Sequence, residues 1–396
     1  MTNSPVNPAL LGRLNVRRVL EVVQRHGPLS RAEVTRRSGV SAPTVSKAVG
    51  SLLKSGLLEE GAPPRAALGR PGRILQLATR SARVLGIVLD ADRCAVLASG
   101  LDGRILEERV HSFPTPGSYA KLIDALVRRV EPLLDEEGVS ILGLGISMPG
   151  LIDRATGEGV LSPNLHATDG RAPGRDLAGR LGIECVVRQE SHGLCLAEWF
   201  WGEAQGLNDF AMLDVSTGLG LGVMSGGRIL EGSTGLAGEL GHMTIDLHGR
   251  LCGCGNRGCL ETLATDSALA RAVSERLRRP VGIDEAVRRF RAGAPPLKEA
   301  LYRTLEYLAV AIGAVINTFN PSTLLVHGRL LEAGDGLFGT LLELVRRRTL
   351  SPSLQGCTIL RAKGNKRQGA VAGIISHVLD SLAPRLAWPA ASKSPN

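Results

Sequence analysis

Between Leu14 and Leu58 apolar positions recur at helical spacing, break, and recur twice more. Leu14, Val16, Val19, Leu20 and Val23 form a stripe that stops at His26-Gly27-Pro28, which predicts a helix ended by a turn. Ser30-Arg31-Ala32-Glu33 reads as a capping box, its hydroxyl and carboxylate satisfying the first unpaired amides of a second helix. That helix is expected to exit at Gly39, where no β-carbon opposes a left-handed turn. Ser41 then caps a third helix, with Pro43 tolerated in its first turn. Val45, Val49 and Leu52, with Ala48 beside them, fall on one face of it; Thr44, Ser46, Lys47, Ser51 and Lys54 fall on the other. Small and cationic side chains on an exposed helix can approach a groove and its phosphates. The pattern therefore reads as a helix-turn-helix whose last helix reads DNA, with a plain three-helix bundle as the alternative.

From Glu59 to Leu77 the chain is rich in Gly, Pro and Arg, which predicts a β-hairpin wing. In Gly69-Arg70-Pro71-Gly72-Arg73 the two arginines sit on thin, extended backbone suited to a narrow minor groove, although arginines in solvent would look the same. Charge separates the DNA reader from the bundle. Residues 1–80 carry 13 Lys and Arg against 4 Asp and Glu, whereas the rest of the chain carries 34 of each. The whole net charge of +9 thus sits in one small module, a positive field that favours a polyanion.

Beyond residue 80 the pattern becomes α/β. Val84–Leu89 and Cys94–Ser99 read as paired strands with Asp102-Gly103 as a hairpin turn. Tyr119 to Leu134 reads as a helix, Ile141–Ile146 as a strand, and a second strand-rich block from Ile183 includes Phe210–Val215. Leu297 to Phe319 is a long apolar helix and Leu324–Val326 a buried strand. Two related α/β halves fit this order better than one Rossmann sheet. The expected domains are a winged head over 1–80, a body over 81–388 and a disordered tail over 389–396. No run of about 18 apolar residues and no signal-peptide layout occur, so a cytoplasmic protein without a membrane partner is expected.

The densest chemistry lies between Glu239 and Glu261. Of seven cysteines, Cys252, Cys254 and Cys259 lie close together and follow His242. Three thiolates and one imidazole match a closed tetrahedral Zn²⁺ site, with glycines letting the loop curl around it over 242–259. With no vacant position, such a zinc is structural. Cys94, Cys185, Cys195 and Cys357 are scattered in apolar runs and read as core.

These blocks together resemble the repressor branch of the ROK (repressor, open reading frame, kinase) family, similar to regulators of N-acetylglucosamine and xylose use. The resemblance rests on the winged head Arg13 to Arg73, on Gly143 to Gly150, and on Glu239-Leu240-Gly241-His242 followed by the cysteine block ending in Glu261. It implies a winged helix-turn-helix joined to a two-lobed actin/hexokinase-like (ribonuclease H-like) body that holds a sugar in its cleft. Carried over by position, the sugar ligands are Asn164, Gln189, Glu190, Glu239, His242 and Glu261, with His242 serving metal and sugar through different ring nitrogens. Gln189-Glu190 stands where the family has Asn-Asp; each added methylene moves the polar end by about 1.5 Å, which reshapes the pocket. Arg188 and His192 flank the pair and are candidates for an anionic ligand, or simply exposed neighbours of a strand end.

The kinase branch of the family needs a glycine-rich turn that cradles ATP phosphates. Here Gly86 to Arg93 carries Val88, Asp90, Ala91 and Asp92 in that place, and carboxylates beside a triphosphate repel it. A later Gly-Gly becomes His327-Gly328-Arg329, while Thr217-Gly218-Leu219-Gly220 keeps its turn. No catalysis is therefore expected. The sequence reads as a sugar-responsive transcriptional repressor binding a double-stranded operator as a homo-oligomer, dimer or tetramer. A sugar kinase with a DNA-binding head and a zinc-stabilised scaffold are the alternatives.

Overall fold

The computed structural model describes residues 8–61, 73–293, 297–334 and 336–382. Arg70 and the expected tail over 389–396 lie outside the described residues. The head comprises α1 (Pro8–His26), β1 (Leu29–Ser30), α2 (Arg31–Ser38), α3 (Ala42–Lys54), β2 (Leu58–Gly61) and β3 (Ile74–Leu77). Val19, Leu20 and Val23, and Val45, Val49 and Leu52, bury the expected stripes of α1 and α3, and Val34 of α2 joins them in being buried. The capping box forms: Glu33 N donates to Ser30 Oγ at 3.3 Å and Ser30 N to Glu33 Oε2 at 2.8 Å. Gly39 takes φ +63° at the exit. Ser41 departs from expectation, since its hydroxyl meets Thr44 Oγ1 at 2.9 Å and caps no amide. Pro43 has no N–H to offer, and the neighbouring hydroxyl competes for the serine. β2 and β3 pair antiparallel from Leu58↔Leu77 to Gly61↔Ile74, which forms the base of the wing.

By contacts the chain forms two compact units: one takes the chain through Met148, Pro173–Arg188 and the chain from Lys366; the other takes the rest. The head thus belongs with the first half of the body. That half contains β4 (Ala82–Val88), β5 (Arg93–Ser99), β6 (His111–Pro114), α4 (Tyr119–Leu134) and β7 (Ser140–Met148). After β8 (Leu151–Ile152) and β9 (Gly159–Leu161), which belong to the second unit, α5 (Pro173–Leu181) and β10 (Cys185–Gln189) return to it. Its sheet runs β10-β7-β4-β5-β6, with β4 antiparallel to β5 and parallel to β7. The Asp102-Gly103 turn falls after β5, where Ser99 bridges Ile105; the β4–β5 link is the segment that carries Asp90.

The second unit repeats the plan. Its elements are α6 (Glu190–Trp201), β11 (Phe210–Asp214), β12 (Gly220–Ser225), β13 (Arg228–Ile229), α7 (Asp266–Leu277), α8 (Ile283–Arg291), α9 (Lys298–Phe319), β14 (Thr323–His327), α10 (Leu337–Arg346), α11 (Ser351–Gln355) and β15 (Thr358–Arg361). The sheet order β13-β12-β11-β14-β15 places an antiparallel meander beside a parallel strand, as in the first sheet. Leu305, Leu308, Ile312 and Ile316 of α9 join Leu213, Leu324 and Val326 in its core, so the long apolar helix covers the sheet. The connection from β13 to α7 carries the His and Cys residues.

The last helix, α12 (Lys366–Leu382), lies in the first unit against β7 and β4. Gly145 permits this approach, because a β-carbon there would sit 2.0 Å from Ala370 O. At the far end of α12, Asp380 meets Arg17 Nη2 of the head at 2.9 Å, and Arg17 Nε reaches Glu21 at 2.8 Å. Arg17 is only 3% exposed, so a buried guanidinium ties the head to the final helix.

Candidate metal centre and effector site

Two short helical turns hold the metal cluster, His242 closing one over Leu240–His242 and Cys259 preceding the other over Leu260–Thr262. Between them Gly258, at φ +67°, passes so close to Asp246 O that an added β-carbon would lie 1.5 Å from it. Only glycine fits that backbone crossing. The ligand atoms of His242, Cys252, Cys254 and Cys259 all lie within 4.8 Å of one another. Cys254 Sγ and Cys259 Sγ are 3.7 Å apart, as are Cys252 Sγ and His242 Nδ1. A tetrahedral Zn²⁺ with ordinary bond lengths requires S···S near about 3.8 Å and S···N near about 3.6 Å. The donor set fits a metal cation. Burial holds the Cys252 and Cys259 thiols above their ordinary range, and a bound cation would reverse that by stabilising the thiolates.

Beside the thiols stand the carboxylates. Glu261 Oε1 accepts from Cys252 Sγ at 3.1 Å and lies 3.9 Å from His242 Nδ1, while Glu261 Oε2 accepts from Leu219 N at 3.3 Å. Glu239 Oε2 lies 3.7 Å from His242 Nε2. The imidazole therefore turns Nδ1 to the Cys252 thiol and Nε2 to Glu239. Gln189 Nε2 donates to Glu239 Oε1 at 2.8 Å. Asn164 joins through Gly218, where a β-carbon would meet Asn164 Nδ2 at 3.3 Å and Glu261 Oε2 at 2.8 Å. Glu190 opens α6 directly after Gln189. Asn164, Gln189, Glu239, His242 and Glu261, scattered through the sequence, thus converge. Burial pushes the Glu239 carboxyl up; the Gln189 bond and His242 oppose the rise, and Glu261 adds to it.

The flanking cations are packed side chains. The Arg188 stem packs toward α12, 3.0 Å from where a Gly373 β-carbon would lie, and His192 is 5% exposed on α6. Neither is the exposed strand-end neighbour that the sequence alternative described.

In the first sheet the segment after β4 is closed internally: Lys366 Nζ pairs with Asp90 Oδ2 at 2.9 Å, and Asp90 O accepts from Thr115 Oγ1 at 2.6 Å. In the second unit Asp214 Oδ1 meets His327 Nδ1 at 2.8 Å. Asp266 accepts from Arg329 N at 2.8 Å and Leu330 N at 2.7 Å. Burial raises the Asp266 carboxyl to about 6, with Asp214 adding to the rise. Sequence reading missed Lys366 and Asp266, since nothing in their local pattern marks them; each acquires its role from a partner far along the chain.

On the head, Ser46, Lys47, Ser51 and Lys54 are exposed opposite the buried stripe of α3, and Thr44 is half-buried on Ser41. Arg73 is exposed at the wing base and paired with Glu60, which Arg31 also reaches at 3.1 Å.

Residues 84–380 match the family described as ROK family, and residues 14–67 match the MarR family. The chain belongs to the ROK family. Among its relatives, the "Xylose repressor" of Caldicellulosiruptor bescii is 25% identical over 94% of this chain and 98% of its own length. The Escherichia coli "DNA-binding transcriptional dual regulator NagC" is 25% identical, with 91% of each chain covered. In fold, this ROK chain superposes with TM-score 0.79 on a ROK transcriptional regulator described as a homologue of the Escherichia coli MLC protein, at 24% identity over 94% of this chain and 98% of that one. The ROK hexokinase of Thermus thermophilus is 31% identical over 76% of this chain and 99% of its own, with TM-score 0.62. No described helix is long and apolar enough to cross a membrane.

Proposed function

We propose that this ROK protein is a cytoplasmic transcriptional regulator, acting as a repressor, whose grip on a double-stranded operator changes when a sugar binds. The observation that carries the reading is the polar and cationic face of α3, exposed opposite its buried stripe in a head that concentrates the chain's net charge. Ser46, Lys47, Ser51 and Lys54, with Thr44 at the edge, would meet the major groove; Arg70 and Arg73 would follow a flanking minor groove once Arg73 leaves Glu60. A homo-oligomer would set two such helices one helical turn apart. Asn164, Gln189, Glu190, Glu239, His242 and Glu261 would hold the effector, carboxylates suiting the task because each accepts two hydroxyls. His242, Cys252, Cys254 and Cys259 would hold Zn²⁺, whose chemistry when bound is to fix the loop that presents Glu239 and Glu261. The effector acts only if it binds two conformations unequally. The Arg17–Asp380 tie gives the head a fixed partner through which such a change can reach it.

Lys47→Ala tests the reading face. Operator affinity should fall about tenfold at moderate salt and the salt slope should drop by about one, with thermal stability unchanged. Wild-type affinity and slope would remove α3 as the reader.

The kinase reading draws on the likeness to a hexokinase and on the retained Thr217-Gly218-Leu219-Gly220 turn. Against it stands the turn after β4, where Val88, Asp90, Ala91 and Asp92 replace a phosphate-cradling glycine turn and Asp90 is held by Lys366 at 2.9 Å. A coupled assay with ATP and a hexose panel decides: turnover that disappears in Glu190→Gln would make the protein an enzyme.

A further inference from the structure

Two arginines of the head are gathered around one carboxylate. β1 pairs with β3 antiparallel, Leu29↔Leu75 and Ser30↔Ile74, so the next residues in that register are Arg31 and Arg73. Like charges opposite one another on a ladder repel, and an anion between them relieves the repulsion. Glu60 of β2 is that anion: its Oε1 accepts from Arg31 Nη2 at 3.1 Å and its Oε2 from Arg73 Nη1. Among the described residues no other carboxylate pairs with either arginine. The Arg31 and Arg73 side chains are 45% and 79% exposed, whereas that of Glu60 is 20% exposed. The guanidiniums thus open to solvent with a carboxylate set between them. The hydrogen bond from Arg73 holds the Glu60 carboxyl below its ordinary range, partial desolvation opposing it, so the group stays charged. Arginine takes carboxylate and phosphate oxygens in the same forked geometry, and exposed ion pairs contribute little and exchange readily.

Resting on the DNA-binding reading above, we propose that Arg31 and Arg73 form a binding site for one phosphate of the DNA backbone, and that Glu60 occupies it in the free protein as an internal stand-in. Arg31 thereby becomes a DNA contact, a role that neither helical pattern nor family likeness marked. On a duplex the phosphate takes both guanidiniums and the carboxylate is displaced. The displaced charge lies beside the backbone and opposes any duplex, whatever its sequence. Glu60 therefore restrains sequence-independent binding by the head.

The test follows fluorescence anisotropy of the full chain over a salt series with two probes. One is the duplex that the wild-type chain enriches from a random pool; the other is a scrambled duplex of equal length and composition. Glu60→Gln keeps the size and an acceptor but removes the charge. Affinity of that variant for both probes should rise about tenfold, and the salt slope should steepen by about one. Arg31→Ala should weaken both probes and reduce the slope by about one, with the ratio between probes unchanged, as loss of a phosphate contact requires. A purely structural tie predicts the opposite sign for Glu60→Gln, because a loosened wing binds less well. Weaker or unchanged binding in Glu60→Gln, or wild-type affinity and slope in Arg31→Ala, overturns the proposal, while loss of binding in Lys47→Ala keeps the DNA-binding reading. A wild-type chain that binds neither the pool nor the scrambled duplex at low salt overturns that reading and this site together.

Discussion

The metal cluster and the carboxylate cluster share His242 and differ in how they are satisfied. His242, Cys252, Cys254 and Cys259 come from one short stretch, and their ligand atoms close on each other around the space for a single ion. Asn164, Gln189, Glu239 and Glu261 come from separate segments, and Gln189 Oε1 ends without a partner. On the proposed reading the first arrangement would be completed by its cation and would serve the fold. The second would be completed only by a further molecule and would serve recognition. Unmet polar demand, rather than burial, separates a binding site from a structural one.

The largest effect should come from breaking the complete cluster. Cys259→Ser replaces a buried soft ligand with a hard one. Metal analysis should then find less than about half an atom per chain, and stability should fall by about 3 kcal/mol or more, read by thermal or denaturant unfolding. Full metal retention in that variant would remove the distinction at its root.

Asp266 sharpens the comparison, because it is a buried acid like Glu239 yet has both oxygens engaged by Arg329 N and Leu330 N. Its folded value, about 6, exceeds the unfolded one. The native state therefore holds the extra proton in between. The stability it contributes is complete below about pH 4 and is lost as pH rises to about 6, at most about 3 kcal/mol. Asp266→Asn should flatten the stability profile over that window, as followed by unfolding at each pH, with sugar binding unaffected. An unchanged slope would show that Asp266 is not the group responsible.

Glu261→Gln gives a smaller effect and tests the seam between clusters. The amide oxygen can still accept from Leu219 N, but the charge is gone. Sugar affinity should fall by about 2 kcal/mol, since hydrogen bonds to charged groups exceed neutral ones by that order. Zinc content should hold. Loss of metal along with sugar would mean the two clusters are one. Least of all, Ser30→Ala should cost about 1 kcal/mol of stability through the lost cap, confined to the head.

Much of this molecule was legible from spacing alone. The stripes of α1 and α3, the Ser30–Glu33 box, the Gly39 exit and the Cys252–Cys259 block depend on neighbours within a few residues, where helical period, capping and loop closure act directly. The candidate sugar-site residues came from likeness to a family, since no local rule joins Asn164 to Glu261. Tertiary structure alone decided that Gln189 reaches Glu239, that the Arg188 stem lies against Gly373, that Lys366 neutralises Asp90, and that Arg17 is buried against Asp380. Each of these depends on where a distant backbone places a partner, and a long polar side chain has enough rotamers to reach several. The sequence fixes which chemistry is available; the packed chain chooses which pairs are made and which acceptor is left open.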